Sequence, residues 1–271
     1  MHDTSSAPLL DFDDATLVRE GARILKSITL SIPEGRHTAI LGPNGSGKST
    51  LIRLMTSHHY ALAHADGRPS VRIFGRTAWN VFELRALLGV VTSEMHQSFV
   101  AGGVCGIDAV ASGFFASHGL AHHHAVTPDM ESKARAALES VEAAHLADKP
   151  MDHMSTGEAR RILIARALVT QPRALLLDEP TAGLDIVARR RFLETLRRIA
   201  RQGKTILLVT HHIEEIIPEI ERVILLKEGE VFRDGRKEDV LTGPTLSALF
   251  GAELDVRASG DWFGAELAER T

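Results

Sequence analysis

Cysteine is almost absent from this 271-residue chain: Cys105 is the only one. No internal disulfide framework can form, so the fold rests on a packed core. Long hydrophobic runs are missing too. No stretch reaches the roughly 18 uncharged apolar residues that a membrane-spanning helix requires, so the chain is not expected to cross a bilayer by itself. The opening "MHDTSSAPLLDFDD" is acidic and lacks the apolar centre of a secretory leader, which implies the cytoplasm. Neither charge sign dominates. Lys and Arg number 31 against 35 Asp and Glu, a net −4 that gives no broad electrostatic footprint for nucleic acid. There is no internal repeat and no low-complexity linker. What is present is an ordinary globular composition, 44% hydrophobic and 24% charged, in a chain long enough to bury one substantial core with a subdomain.

Short β-type runs alternate with helical patterns along the chain. "ILKSITLSI" places Ile24, Ile28, Leu30 and Ile32 in partial period-two spacing, and Pro33-Glu34-Gly35 then turns the chain into "HTAILGP". "RALLLDEP", "KTILLVTHH" and "ERVILLKEG" are compact apolar segments bounded by charge or turn residues, as expected of strands covered on both faces. Ile186 to Arg201 has helical spacing with an arginine-rich outer face. This recurrence predicts an α/β fold with a parallel sheet. Residues 100–170 differ: "DAVASGFFASHGL", "MESKARAALESVEAAHL" and "GEARRILIARALV" all read as helices, which fits a helical insertion. From about Gly251 a short tail is expected.

The most specific motif is "GPNGSGKST", Gly42 to Thr50, between the strand-like "TAIL" and the helix-like "LIRLM". It matches the P-loop pattern G-x-x-x-x-G-K-[ST] in its proper context. Gly42, Gly45 and Gly47 let the backbone curl with N–H groups inward, while Pro43, Asn44 and Ser46 complete the loop. Lys48 is placed to neutralise the β and γ phosphates, and Ser49, followed by Thr50, to hold Mg²⁺. In "ALLLDEP", Asp178 is the candidate metal-linked carboxylate and Glu179 the general base or water-orienting group. His211, ending "ILLVTH", can donate a hydrogen bond to a γ-phosphate; His212 beside it is read as incidental.

"MSTGEARR", Met154 to Arg161, holds a capping box: Ser155 and Glu158 each satisfy a free N–H at a helix start, worth about 1 kcal/mol. The cap alone does not account for Gly157, because glycine in a first helical turn costs up to roughly 1 kcal/mol relative to alanine. The segment is either a cap only, or also an anion site at a positive helix end.

In order, "GPNGSGKST", "MSTGEARR", "LLLDEP", "TAGLD" and "LLVTHH" resemble the nucleotide-binding subunit of an ABC transporter, over about residues 10–250. The resemblance implies a RecA-like P-loop NTPase core with a mostly parallel sheet, N-terminal antiparallel β strands and an inserted α-helical subdomain at about residues 94–170. All of this lies in one nucleotide-binding domain over residues 1–250, with 251–271 as the tail. It implies an ATPase using ATP and Mg²⁺ and closing head to tail on ATP, as a homodimer or with a paired ATPase subunit. Such a subunit drives an integral membrane permease from the cytoplasmic face of the inner membrane. Ser155, Thr156, Gly157 and Glu158 then serve the partner subunit's ATP, and Asp185 matches the D-loop. The motif departs from the strict Leu-Ser-Gly-Gly-Gln at three of five positions, keeping Ser155 and Gly157.

Two further departures matter. The usual Q-loop glutamine position holds Ser93, with Glu94 next and Gln97 four residues beyond. Either Gln97 reaches back by a longer loop, or Ser93 or Glu94 takes over part of the role, or the segment is a plain loop. The adenine-stacking aromatic aligns with Arg19, which can stack through its flat guanidinium or remain a solvated arginine. His118 and His122 to His124 are a candidate metal cluster set against a solvated loop, the latter preferred for want of Cys, Asp or Glu at ligand spacing. Cys105 is read as a small packed residue. Two rivals remain: a soluble ABC ATPase of translation or nucleic-acid maintenance, which usually shows two fused modules or a coiled-coil insertion, and a small-molecule kinase, which has no use for "STGE" and "AGLD". Nucleic acid is not expected as a partner.

Overall fold

The computed structural model describes residues 7–117, 119–121 and 124–268. Two compact units make up the chain, one from residues 1–79 and 205–271, the other from residues 80–204. Strands β1 (Leu10–Arg19), β2 (Ala22–Ile32) and β3 (Thr38–Leu41), helix α1 (Lys48–Met55) and strand β4 (Val71–Ile73) open the first unit. The second unit runs through α2 (Val81–Leu87), β5 (Leu88–Val91), α3 (Ser93–Ala101), α4 (Gly106–Ala111), α5 (Pro128–Ser140), α6 (Thr156–Leu168), β6 (Ala174–Asp178) and α7 (Ile186–Arg201). The chain then returns to the first unit as β7 (Thr205–Thr210), β8 (Arg222–Lys227), β9 (Glu230–Arg236), α8 (Lys237–Val240), α9 (Gly243–Phe250), β10 (Leu254–Ser259) and β11 (Trp262–Leu267).

In the first unit, β3 lies between β7 and β8 and runs parallel to both, while β9 returns antiparallel to β8. All residues of β3 and β7 are buried, which is why their sequences are continuous apolar runs rather than alternating ones. A separate antiparallel sheet has the order β2-β1-β4. Its inward face holds Leu10, Phe12, Ala15 and Leu17 from β1, and Leu25, Ile28, Leu30 and Ile32 from β2. Period two alone puts Ile24 on that face. The register shifts between Ala15 and Leu17, and Ser27 sits at φ +51°, so the phase slips by one and Leu25 is buried instead.

In the second unit, β5 and β6 pair in parallel, Leu88 opposite Ala174 through Val91 opposite Leu177. Helix α6 is the centre of this unit, with Ala159, Ile162, Leu163, Ile164 and Ala165 buried and α3, α4 and α5 packed on it. Gly89 lets β5 pass against α6: a Cβ there would lie 2.6 Å from the Ala167 carbonyl oxygen. Two expected helices are shorter than their patterns. "DAVASGFFASHGL" is helical only to Ala111 and then a 3-10 turn to Phe115, because Gly113 runs too close to the Arg166 carbonyl for a side chain and Ala116 turns left-handed at φ +49°. Helix α5 stops at Ser140, two residues before Glu142 at φ +57°. The segment expected as a short tail contains the β10–β11 hairpin.

Candidate functional site

The in-register pairing of Leu41 with Thr210 delivers Gly42 to the carboxyl end of the parallel strands, where the Gly42 N–H donates to the Thr210 carbonyl at 3.3 Å. The loop that follows is tightly cradled. A Cβ on Gly42 would sit 2.3 Å from the Leu226 carbonyl oxygen, and Gly47 takes φ +104° with its back against Ile24 and Leu25. The turn between β8 and β9 braces the loop: the Gly229 N–H donates to the Ser46 carbonyl at 3.0 Å, and the Gly229 carbonyl accepts from the Lys26 N–H at 2.8 Å. That brace was missed at the sequence stretch "KEGE", although an Xaa-Gly pair between two apolar runs is a hairpin signal.

Lys48 opens α1 with its side chain buried, and its Nζ donates to the carbonyls of Gly42 at 2.8 Å and Pro43 at 3.0 Å. The helix has Gly47 as N-cap and no side-chain cap, so its first N–H groups are open to a ligand. Ser46 Oγ is buried without a hydrogen-bond partner. Asn44, Gly45 and Ser49 are exposed, and Pro43 and Thr50 half-buried. A glycine cradle, an uncapped helix end, an orphaned hydroxyl and a buried ammonium fit a chain of phosphates.

His211 follows Thr210 directly and so emerges at the same strand ends as Gly42. Its ring lies 3.9 Å from that of His212, whose N–H donates to Thr210 Oγ1 at 2.9 Å. Arg19 is at the tip of the β1–β2 hairpin, beside a turn formed by Glu20 (φ +53°) and Gly21 (φ +80°). Its Nε is 3.5 Å from Glu20 Oε1, an exposed ion pair worth little that leaves the guanidinium accessible. Farther along the same hairpin, Ile24 and Leu25 touch Gly47.

The second unit holds the other candidates. Parallel pairing of β5 with β6 ends Val91 and Leu177 side by side, so Thr92 and Asp178 leave the strands at one edge. Asp178 and Glu179 are half-buried. Glu179 has φ +45°, left-handed backbone that costs a non-glycine residue about 1 kcal/mol or more. Asp185 caps α7, its Oδ1 accepting from the Ala188 N–H at 2.8 Å. Thr92 Oγ1 accepts from the Met95 N–H at 3.3 Å and starts α3 at Ser93, so Ser93, Glu94 and Gln97 all lie on one helix. Ser93 and Gln97 therefore stand one turn apart on one helix face, with Glu94 and Gln97 exposed.

At the start of α6 the capping box is formed: Ser155 Oγ accepts from the Glu158 N–H at 3.3 Å, and Glu158 Oε2 accepts from the Ser155 N–H at 2.8 Å. Lys149 Nζ, which sequence reasoning missed, donates to the same Oε2 at 2.9 Å. The box serves the N–H groups of Ser155 and Glu158, not those of Thr156 and Gly157. A Cβ on Gly157 would meet only Ala188 at 3.5 Å and Leu184 at 3.8 Å, ordinary contacts. Nothing in the chain's own packing requires a glycine there.

His118, His122 and His123 lie outside the described residues. His124 Nδ1 accepts from the Ala121 N–H at 3.1 Å, and its ring stacks on Phe115 at 4.2 Å. Among the described residues no three His, Cys, Asp or Glu side chains are grouped to hold a metal ion. Cys105 is half-buried.

A family model described as ABC transporter matches residues 25–182. The ABC transporter ATP-binding protein YlmA of Bacillus subtilis is 36% identical over 254 residues, covering 92% of this chain and 93% of its own. The hemin import ATP-binding protein HmuV of Plesiomonas shigelloides is 30% identical over 265 residues, covering 89% and 94%. Among solved structures, a cbiO protein from Clostridium perfringens, part of the ABC transporter complex cbiONQ, matches with a TM-score of 0.72 at 27% identity, covering 89% and 94%. A dimeric ATP-binding cassette bound to ADP and phosphate matches with a TM-score of 0.67 at 27% identity, covering 84% and 98%.

The capping box gives a pH signature. The hydrogen bond from Lys149, then that from the Ser155 N–H, holds the Glu158 carboxyl down at about 2, below its ordinary 4.5. A carboxyl with a depressed folded pKa stabilises fully above its unfolded value and ceases to as pH falls through the folded one. Part of the stability, about 1 kcal/mol after solvent screening, is therefore expected to disappear between about pH 4.5 and 2. Urea unfolding at successive pH values should show a shallower decline for Glu158→Gln across this window; parallel curves would refute the assignment.

Proposed function

The chain belongs to the ABC transporter family of ATP-binding proteins, and from that premise we propose that it hydrolyses ATP while paired head to tail with a second ATPase subunit, driving a separate membrane permease. The fold is that of a P-loop NTPase, and the family's members are ATPases. The observation that carries the reading is the cradle of Gly42 to Gly47, closed behind by Gly229 and opening onto the uncapped end of α1. Its N–H groups, with Ser46 Oγ, receive the phosphates, and Lys48 exchanges its two loop carbonyls for phosphate oxygens as the ligand enters.

The exposed hydroxyl of Ser49 and the strand-end carboxylate of Asp178 are the side chains that would hold Mg²⁺, which supplies charge neutralisation at the phosphates. Glu179 orients and deprotonates the attacking water from its place just beyond the end of β6. His211 donates to the γ-phosphate from the edge that β3 and β7 share. Arg19 lies against the adenine from the hairpin that touches Gly47.

The start of α6 serves the partner's nucleotide. The capping box leaves the N–H groups of Thr156 and Gly157 for a γ-phosphate, so the cap and the anion site are one structure. Asp185 holds the D-loop against the start of α7, and Gln97 on α3 carries the signal from the permease. In this reading the helical region of about residues 94–170 is the inserted subdomain. No helix among the described residues is long and apolar enough to cross a membrane. In this reading the crossing belongs to the permease, and the ATPase rests on its cytoplasmic side.

Three substitutions test the roles. Glu179→Gln should bind ATP yet hydrolyse it about 100-fold or more slowly, and should shift to a dimer on size exclusion with ATP; near-normal turnover removes the role given to Glu179. Gly157→Ala should raise unfolding stability by up to about 1 kcal/mol while lowering turnover, and turnover kept at the parent rate argues that no phosphate binds there. Arg19→Ala should weaken ATP affinity by about 0.5–2 kcal/mol in a titration; unaltered affinity leaves Arg19 a solvated side chain.

A further inference from the structure

The β10–β11 hairpin has no role in the function proposed above, and its contacts are specific. Two-stranded hairpins are marginally stable by themselves, so this one persists by docking. Its first strand is tied to α9, where the Leu254 N–H donates to Ser247 Oγ at 2.9 Å. Its second strand packs on the 3-10 turn Ile213–Glu215. The pairing runs from Leu254 opposite Leu267 to Ser259 opposite Trp262 across the Gly260-Asp261 turn. Counting from that closing pair, Val256 and Ala265 form a pair that does not exchange ladder hydrogen bonds, so the Ala265 N–H points out of the hairpin. It points at Glu214 Oε1, 3.5 Å away.

Glu214 is three residues from His211, and the segment between them is held at both ends, the Glu215 N–H also donating to the His212 carbonyl at 3.2 Å. On the strand side it is held by Thr210, through β7 and through the bond from the His212 N–H to Thr210 Oγ1. On the far side Ile213, Ile216 and Ile217 are buried, and β11 covers the turn between them. We propose that the carboxyl-terminal hairpin is a positioning element for His211, clamping the segment from behind through Glu214 and Ala265. His211 contacts a phosphate only at the correct distance, and a clamp three residues away adds to the contacts that set where its backbone lies. The proposal rests on the role given to His211 above. It assigns the positioning task to residues 254–267, which the family's ATP-site motifs do not include.

The test is steady-state ATPase kinetics on the purified full chain. Glu214→Ala is expected to lower kcat about three- to tenfold with the KM for ATP held within about twofold, the pattern of a contact felt in the transition state and not in binding. Glu214→Gln, whose amide oxygen still accepts, should recover most of the loss. Ala265→Pro deletes the same bond from the other side at an edge position that tolerates proline, and should reproduce the defect; it carries the test alone if Glu214→Ala does not fold. His211→Ala is assayed beside them. If it turns over ATP at the parent rate, the role given to His211 fails and the clamp with it. If His211→Ala is inactive while Glu214→Ala and Ala265→Pro, folded by their thermal transitions, keep the parent kcat, the clamp alone is overturned. A loss in which Glu214→Gln is as impaired as Glu214→Ala also overturns it.

Discussion

Pairing of β3 between two parallel neighbours is the constraint from which the first unit's chemistry follows. A four-residue strand with every residue buried leaves its hydrogen bonds only one register, and that register sets Leu41 beside both Thr210 and Leu225. Three chain segments therefore leave the sheet at one edge, carrying the glycine loop, His211 and the turn at Gly229. Gly42 is pressed against β8 and Gly229 against β2, whereas Gly45 faces open space and needs glycine for its left-handed backbone at φ +81°. A methyl group on Gly42 or Gly229 would meet a carbonyl oxygen at 2.3 Å.

The second unit repeats the device with β5 and β6, bringing Thr92 and Asp178 to a common edge. Just beyond, Glu179 has left-handed backbone at φ +45° and precedes Pro180. Sequence alone does not reveal that backbone conformation. At α6, by contrast, the local chemistry is relaxed: Ser155, Glu158 and Lys149 satisfy one another. Beside that cap, a Cβ on Gly157 would make only ordinary contacts, Ala188 at 3.5 Å and Leu184 at 3.8 Å.

Legibility in the sequence followed the range of the interactions. The P-loop, the strand-end acids and the capping box are local, and their spacing was enough to place them on the right elements. Helix α7 was bounded at Ile186 and Arg201 by its arginine stripe, since a single amphipathic face is visible in one segment. Features set by distant neighbours were not visible. Ile24 read as inward until the bulge at Ser27 gave the place to Leu25. The pattern through Phe115 read as helix until Arg166, some 50 residues on, crowded Gly113. The hairpin of residues 254–267 escaped notice because "SGDW" is a turn only if the flanking strands have something to rest on. Ser93, Glu94 and Gln97 lie on a helix where a loop was one of the readings, and Thr92 as its cap was the available sign.

Gly89 has a consequence for packing. Without a side chain at Gly89, the backbone of β5 comes directly against that of α6 at Ala167, and the Leu175 side chain fills the space beside it. The strand runs directly into α3, and the helix begins at the serine cap. The serine cap lies at the far end of the same helix, which is some 20 Å long at about 1.5 Å for each residue of α6.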